Sequence, residues 1–329
     1  MFTNYKLFNI NLQLFAENTN VTTLANGDAN TKLSAEMKTF YSDYLIDNAE
    51  PKLVHDQFGQ KHPIPKNGGK TIEFRKYKPL GKMLDKLTEG VTPDGQSLEV
   101  STIEATVAQY GGYITLSDVL LMTAIDNNMV QATKLLGNQA GATLDTITRD
   151  KLAEGTNVIY AGGKLSRDAL DSVLTVDDVK KAVRTLKAQN AEKIGDSYVG
   201  IIHPDVSYDL TNDPKWENVK QYDPEDWYEG EIGRIFGVRF VETTEAKIFD
   251  VGGKSIYSTL ILGDNAYGVT EIEGGGLEHI VKQLGSAGTA DPLNQRATVG
   301  WKATKVAEIL VDEFMVRIES LSTFNGAAN

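Results

Sequence analysis

The chain has 329 residues, no cysteine, and a formal net charge of −12. The lack of cysteine excludes a disulfide scaffold, a thiolate metal site and a cysteine nucleophile. The acidic balance argues against a surface that grips the DNA backbone, because that affinity comes from lysine and arginine displacing counterions. No apolar run approaches the roughly 20 residues of a membrane-spanning helix, and the N-terminus lacks the basic and continuous apolar regions of a secretion signal.

The first residues, 1–34, combine an apolar island at residues 7–15 with a polar run. Because such a composition cannot bury a core of its own, we expect an arm that orders against another surface. Residues 35–62 follow with apolar positions at helical spacing, broken by Pro51, and this pattern predicts a helical segment.

Residues 63–116 change to alternating patterns that are typical of strands, at residues 71–75, 103–107 and 113–116. Between the first two patterns lie about 25 residues rich in Lys, Gly and Pro, a length that is unusual for a connection inside a compact domain. We therefore expect an extended hairpin that projects outward and lies on another surface.

A long helix is predicted next, because Ser117 has the character of an N-cap and apolar residues then recur every three or four positions as far as Leu152. One continuous helix of about 36 residues would be about 54 Å long at 1.5 Å per residue. Gly137 and Gly141 weaken its middle, so we expect close packing or a bend there.

The second half of the chain has a mixed helix and strand pattern. Thr175 is predicted to cap a helix with Asp177 and Asp178 at its positive end. A buried strand at residues 198–202 follows, and the remaining predicted strands lie near residues 238–241, 255–262 and 277–284, with two more after residue 298. No internal repeat is present, which excludes solenoids and propellers.

Two short motifs resemble known functional signatures. Gly68-Gly69-Lys70-Thr71 resembles the end of a phosphate-binding loop, but Ile64 stands where that loop requires glycine and the segment leads into a strand, so a turn is favoured. His203-Pro204-Asp205 matches a chaperone tripeptide, but it follows a strand, and a helix start is favoured.

A calcium or magnesium site is the other candidate. Oxygen ligands could come from five acidic residues that lack EF-hand spacing: Asp223, Glu225, Asp226, Glu229 and Glu231. A solvated acidic loop is the favoured interpretation. The histidines, at positions 55, 62, 203 and 279, form no HExxH pattern, and no GxSxG elbow exists. The sequence therefore predicts no catalytic residue, no cofactor-binding residue and no metal ligand.

Several segments together resemble a known family. Residues 200–205 (GIIHPD), 230–243 (GEIGRIFGVRFVET), 291–296 (DPLNQR) and 300–302 (GWK) resemble major capsid proteins of tailed bacteriophages, and residues 11–16 (NLQLFA) are similar to the start of many phage structural proteins. The resemblance covers most of the chain from about residue 35 to 320, and the order and spacing of the segments carry it.

This resemblance implies an α+β fold of the tailed-phage capsid and encapsulin type. Its expected parts are an N-terminal arm (1–34), a helical segment of a peripheral domain (35–62), an extended β-hairpin loop (63–116), the peripheral domain with a long spine helix (117–169), an axial domain (170–297) and C-terminal strands that return to the peripheral domain (298–329).

The function implied by the resemblance is structural rather than enzymatic. Copies would assemble through hexamers and pentamers into an icosahedral head that encloses double-stranded DNA without sequence-specific binding. The short arm implies either a separate scaffolding protein or a chain that is already processed, and the initial Met1 favours the former. A portal is a further expected partner. Assembly would occur in the host cytoplasm and the protein would reside in the virion, with no membrane and no cofactor. The alternatives are an encapsulin-type nanocompartment shell and a phosphate- or magnesium-binding α/β enzyme.

Overall fold

A computed structural model describes most of the chain after residue 53. The described residues are the backbone of 21–22 and residues 54–65, 69–77, 80–84, 86, 89–90, 92, 95–124, 128–216, 233–270, 277–286, 288–324, 326 and 328–329. The chain divides into two compact units, and each is described by itself: the first unit comprises 1–47, 112–136 and 279–301, and the second unit comprises 48–111, 137–278 and 302–329.

The helices and strands of the described residues are numbered in chain order. The helices are α1 (Asp118–Thr123), α2 (Asn128–Leu152), α3 (Val176–Ala188) and α4 (Pro204–Thr211). The strands are β1 (Val21–Thr22), β2 (Gln60–Lys61), β3 (Thr71–Tyr77), β4 (Val100–Thr106), β5 (Ala108–Ser117), β6 (Val158–Tyr160), β7 (Tyr198–Ile202), β8 (Arg234–Ile235), β9 (Val238–Glu242), β10 (Ile248–Val251), β11 (Lys254–Leu262), β12 (Tyr267–Thr270), β13 (Glu278–Lys282), β14 (Arg296–Ile309) and β15 (Met315–Ser320).

The second unit is built on a mixed sheet with the strand order β6-β15-β11-β7-β9-β8, and β10 pairs antiparallel with the first four residues of β11. The central strand β7 is flanked by β11, which is antiparallel to it, and by β9, which is parallel. All five residues of β7 are buried, as predicted for residues 198–202. A strand that is buried on both faces needs a covering layer on each side of the sheet.

Those two layers follow from the alternation of side chains along the strands. Tyr198 and Ile202 of β7 pack with α3 and α4 in one cluster, whose other members include Val179, Leu186, Leu210, Ile261 and Val316. Val199 and Ile201 point the opposite way and pack with a second cluster that includes Val54, Leu152, Leu260, Leu262, Tyr267 and Met315. Gly200 lies between them because a Cβ there would lie 2.7 Å from the ring of Phe240.

A second set of strands surrounds β14. In the second unit the C-terminal part of β14 pairs antiparallel with β12, from Val306 opposite Thr270 to Ile309 opposite Tyr267. β12 in turn pairs in parallel with β2. In the first unit β1 pairs in parallel with the end of β5, where Val21 lies opposite Thr115.

The long helix differs from the sequence prediction. Ser117 is the N-cap, as predicted, and its Oγ accepts a hydrogen bond from the Leu120 amide at 3.2 Å. However, α1 ends at Thr123 because Ala124 is extended, with φ −70° and ψ 137°. Gly137 and Gly141, where close packing or a bend was expected, lie inside the uninterrupted helix α2, and a Cβ on Gly137 would meet no atom beyond the local helix backbone within 4 Å. The break falls instead before a run of Asp and Asn, residues that hydrogen-bond to the nearby backbone in competition with a helix.

Two other predictions concern segment boundaries. Residues 54–59 form turns and residues 60–61 form β2, so the helix predicted over residues 35–62 does not reach residue 62; residues 35–53 lie outside the described residues. The reason is local packing, because a Cβ at Gly59 would lie 2.5 Å from the ring of Tyr267. Thr175 precedes α3 as predicted, but its hydroxyl donates to the Asp178 carboxylate and does not accept from a backbone amide.

Candidate functional site

The β3–β4 hairpin of the second unit has one covered face and one exposed face. Its two strands are antiparallel, with Thr71 opposite Thr106 and Tyr77 opposite Val100. Burial alternates along both strands, so that one face is covered and the other faces solvent. The covered face carries Ile72, Phe74, Lys76, Ser101, Ile103 and Ala105. The hairpin predicted from the sequence is therefore present, and one of its faces is already packed against its own subunit.

Three contacts hold the covered face in place. The Phe74 ring packs against β12, where a Cβ on Gly268 would lie 3.1 Å from it. The His62 ring meets Phe74 edge-on at a centroid distance of 5.9 Å. The Lys76 ammonium lies 3.4 Å from the Glu313 carboxylate. A hydrogen bond with its own backbone and the charge of Lys76 lower the pKa of Glu313, against the opposing effect of partial burial. These contacts fix the covered face of the hairpin against residues of the second unit.

Beyond these contacts the hairpin exposes large apolar side chains. Leu84 is 83% exposed, and the others are Tyr77, Leu80, Met83, Leu98 and Val100. A two-stranded ribbon is at best marginally stable by itself in water. Several large exposed apolar side chains on one hairpin favour protein–protein contact. The chemistry of the hairpin is therefore that of an association surface.

The first unit presents a second set of exposed apolar side chains, on Tyr113, Val119, Met122 and Leu293. Leu293 belongs to the DPLNQR segment, which forms a tight turn. The buried Asp291 carboxylate accepts from the Arg296 amide at 2.7 Å, and Asn294 adopts a left-handed conformation with φ 54°. The Asp118 amide donates to the Gln295 carbonyl and ties the turn to α1. The segment is thus a rigid turn that displays one leucine.

The glycine-rich motif at residues 68–71 is a turn in its described part. Gly69 has φ 92°, a backbone conformation that favours glycine, and Thr71 begins β3. A phosphate-binding loop must open a helix instead. The structure therefore agrees with the interpretation of this motif as a turn into a strand.

The His203-Pro204-Asp205 motif starts a helix, as predicted. His203 follows β7 and caps α4, because its Nδ1 accepts a hydrogen bond from the Asp205 amide at 3.1 Å. Burial lowers the pKa of His203, although the nearby Asp205 and Glu242 carboxylates oppose that shift. The tripeptide is thus used to build the junction between the sheet and α4.

Within the described residues, no group of three His, Asp or Glu side chains is arranged to hold a metal ion. The acidic cluster at residues 223–231 and the glycines at 274–276 lie outside the described residues. Of the helices that are described, none has the length and apolar character needed to cross a membrane.

A buried polar cluster in the second unit was not predicted from the sequence. The His55 amide donates to Asp145 Oδ1 at 2.8 Å, and His55 Nδ1 lies 2.7 Å from Asp145 Oδ2. The ammonium of Lys305 pairs with Asp56 and donates to the Leu144 carbonyl. These contacts fix the turn at residues 55–56 against α2 and β14. The signal for this cluster in the sequence is weak: Asp145 and Thr148 are two polar residues on one face of α2, and the Thr148 hydroxyl donates to Asp56.

The comparisons with known proteins agree with an association surface rather than a catalytic site. A family model described as phage capsid protein matches residues 99–317. No curated protein sequence matches the chain. The chain is similar in structure to the capsid of Ralstonia phage GP4, with a TM-score of 0.67 and 14% identity over 92% of this chain and 100% of that one.

Two further solved structures have the same fold. The capsid of the cyanophage P-SCSP1u has a TM-score of 0.67 and 13% identity, over 87% of this chain and 93% of that one. The SrpI encapsulin of Synechococcus elongatus PCC 7942 has a TM-score of 0.57 and 9% identity, over 93% of this chain and 100% of that one. These identities show the fold alone, whereas the family model covers more than half of the sequence. The chain belongs to the phage capsid protein family, and its function is that of a structural major capsid protein.

Proposed function

We propose that copies of this chain form hexameric and pentameric capsomers, which close into an icosahedral head around double-stranded DNA. The observation that carries the proposal is the hairpin, whose one face is packed on its own subunit while its far end exposes Leu84, Leu98 and their apolar neighbours. Contact with an adjacent copy would remove these apolar side chains from water, and the same contact would recur around every capsomer.

The parts of the subunit are assigned on the same basis. Residues 63–116 form the loop that lies on a neighbouring copy, residues 1–34 form an arm, and residues 35–62 and 117–169 belong to the peripheral domain. Residues 170–297 form the axial domain, and residues 298–329 return to the peripheral domain. The assignment rests on the order of elements and on the resemblance of the sequence segments.

The remaining partners follow from the role of a head. A separate scaffolding protein and a portal guide closure in the host cytoplasm, and the finished protein resides in the virion and performs no catalytic step. The net charge of −12 supports a shell that stores DNA without gripping it, because carboxylates repel the phosphate backbone.

The hairpin contact is tested with Leu84→Ser. Removing one leucine that becomes buried on assembly costs about 2 kcal/mol per contact, which is roughly a 30-fold loss in association. We expect particles to disappear from sedimentation profiles and negative-stain images, while the unfolding midpoint of free subunits stays unchanged. Leu165→Ser is the matched control, since Leu165 is also highly exposed but lies in the loop after β6. Normal particles from Leu84→Ser, or equal losses in both variants, would contradict the proposed role of the hairpin.

An encapsulin-type shell is the second candidate, favoured only by the similarity of the fold to the SrpI encapsulin. The two shells differ in content. A phage head takes up double-stranded DNA, so particles purified from infected cells should contain nuclease-protected DNA. Particles that protect a cargo protein and no DNA would favour the encapsulin instead.

A further inference from the structure

One face of the seven-stranded sheet in the second unit carries a row of polar side chains. Ser258 of β11 lies directly opposite Glu319 of β15, and Glu319 lies opposite Tyr160 of β6. On the other side of β11, the Ser258 amide donates to the carbonyl of Lys247, the residue just before β10. Residues that lie opposite each other on paired strands direct their side chains to the same face of the sheet. Lys247, Ser258, Glu319 and Tyr160 therefore form one row across neighbouring strands.

Cations gather beside this row around the ring of Phe249. Arg317 lies two residues before Glu319 on β15, so its side chain is on the same face. The guanidinium carbon of Arg167 lies 3.9 Å from the centroid of the Phe249 ring, and that of Arg317 lies 5.8 Å from it. The Lys247 ammonium lies 6.0 Å from the same centroid. Three positive charges are thus brought together at one aromatic ring.

Two carboxylates face these three cations at ion-pair distance within the described part of the chain. Glu319 Oε1 lies 2.6 Å from Arg167 Nη2 and 3.1 Å from Arg317 Nε. Asp150 Oδ1 lies 3.1 Å from the Lys247 ammonium, and it also pairs with a neighbouring arginine of α2. One positive charge of the group is therefore left without a carboxylate of its own.

Arg317 and Ser258 also hold buried donors for which the described residues supply no acceptor. The Arg317 side chain is 8% exposed, and its Nη1 has no hydrogen-bond partner there. Its Nε, although close to Glu319, is not aimed well enough to form a hydrogen bond. The Ser258 hydroxyl is likewise buried and without a partner in that part of the chain. Guanidinium N–H groups can only donate, and a buried donor left unpaired is costly.

We propose that a small monovalent anion, with chloride as its representative, binds on this face of the sheet and accepts hydrogen bonds from Arg317 Nη1 and the Ser258 hydroxyl. An anion supplies acceptors without adding donors, and it balances the excess positive charge. A water molecule would bring two O–H donors that need acceptors of their own. An anion with two or more charges would replace the excess of positive charge by an excess of negative charge. This site goes beyond the proposed capsid function and belongs to the single subunit.

The test measures urea unfolding of free subunits while sodium gluconate is replaced by sodium chloride at constant ionic strength. Gluconate is too large for a buried site of this kind and keeps the screening of surface charges unchanged. An anion that binds only the folded state raises the folding equilibrium constant about tenfold for each tenfold rise in chloride above its dissociation constant. We expect this dependence in wild type.

Variants of the site should move the chloride dependence in opposite directions. Arg317→Met removes the unpaired guanidinium donors and should abolish the dependence. Ser258→Ala removes one hydroxyl, and the chloride concentration needed for stabilisation should rise about tenfold. Glu319→Gln makes the group more positive by one charge, and the concentration needed should fall about tenfold or more.

Thr259→Val is the matched control for the loss of a buried hydroxyl. Thr259 follows Ser258 on β11 and its hydroxyl is also buried without a partner in the described residues, but its side chain lies on the opposite face of the sheet. This variant should keep the chloride dependence of wild type.

Two results would overturn the inference. No chloride dependence in wild type would leave the buried donors to water. The same dependence in wild type, Ser258→Ala and Arg317→Met would show a general effect of the salt. Ser258→Ala keeps the test decisive if Arg317→Met does not fold, because it changes no charge. Particle assembly is not part of the readout, so the outcome is separate from that of the capsid proposal.

Discussion

Glu319 lies at the centre of a buried ionic group, and removing its charge should lower the free energy of unfolding. Its side chain, on β15, is fully buried and receives two hydrogen bonds from Arg167, Nε to Oε2 at 2.7 Å and Nη2 to Oε1 at 2.6 Å. Arg317 Nε lies 3.1 Å from Oε1, although its N–H is not aimed well enough to form a hydrogen bond. Burial lowers the pKa of Arg317, Glu319 opposes the shift, and Arg167 adds to it.

The substitution Glu319→Gln keeps the shape of the side chain and removes the negative charge that contacts both guanidinium groups. Arg167 is partly exposed and can turn toward water, but Arg317 is only 8% exposed and remains as a buried charge without a counterion. Breaking a buried pair in this way costs about 3–5 kcal/mol. The substitution Arg167→Gln leaves the Glu319–Arg317 pair in place but removes both hydrogen bonds to the buried carboxylate, and should cost about 1–3 kcal/mol.

Urea unfolding of free subunits, followed by tryptophan fluorescence, measures these differences. The double variant Glu319→Gln/Arg317→Met removes both buried charges and should recover most of the loss, to within about 1–2 kcal/mol of wild type. A cost below about 1 kcal/mol for Glu319→Gln, or a double variant as unstable as the sum of its single changes, would refute the argument that an uncompensated Arg317 is the cause.

Three further changes test other parts of the second unit. Burial holds the pKa of His203 below its usual value, so the neutral form stabilises the fold. That stability is complete above the unfolded pKa of about 6.5 and declines as the pH falls toward the folded pKa. His203→Asn keeps an N-cap residue, and the free energy of unfolding measured in urea should therefore change less between pH 7 and 5 than it does in wild type. Tyr257→Phe removes the hydrogen bonds to Asp205 and from the Gly326 amide and should cost about 1–2 kcal/mol in urea unfolding. Since burial raises the pKa of Tyr257 to about 12, wild type alone should lose this contribution as the pH rises from about 10 toward that value. The same dependence of stability on alkaline pH in the variant as in wild type would contradict this assignment. Gly200→Ala places a Cβ 2.7 Å from the Phe240 ring and should cost about 1–3 kcal/mol in thermal unfolding, with partial rescue by Phe240→Leu.

The sequence by itself determined the elements whose signals are local. Alternation over residues 71–75 and 103–107 predicted β3 and β4, which pair as the expected hairpin, whereas its outward projection stays a prediction. The N-cap at Ser117 and the helix start at Pro204 were equally readable. Each of these signals depends on side chains a few positions apart, which is the distance over which strand alternation and helix capping act.

Only the tertiary structure decided which surfaces are satisfied within one subunit. The sequence pattern predicted one long helix with weak glycines, but the helix breaks at Ala124 and continues through Gly137, because packing of α2 outweighs the small intrinsic cost of glycine. His55 and Asp145 are 90 residues apart, and no local pattern pairs them. The same holds for Phe74 on Gly268 and for Arg234 opposite Arg239, because a contact between distant segments depends on how the strands are ordered and registered in the folded chain.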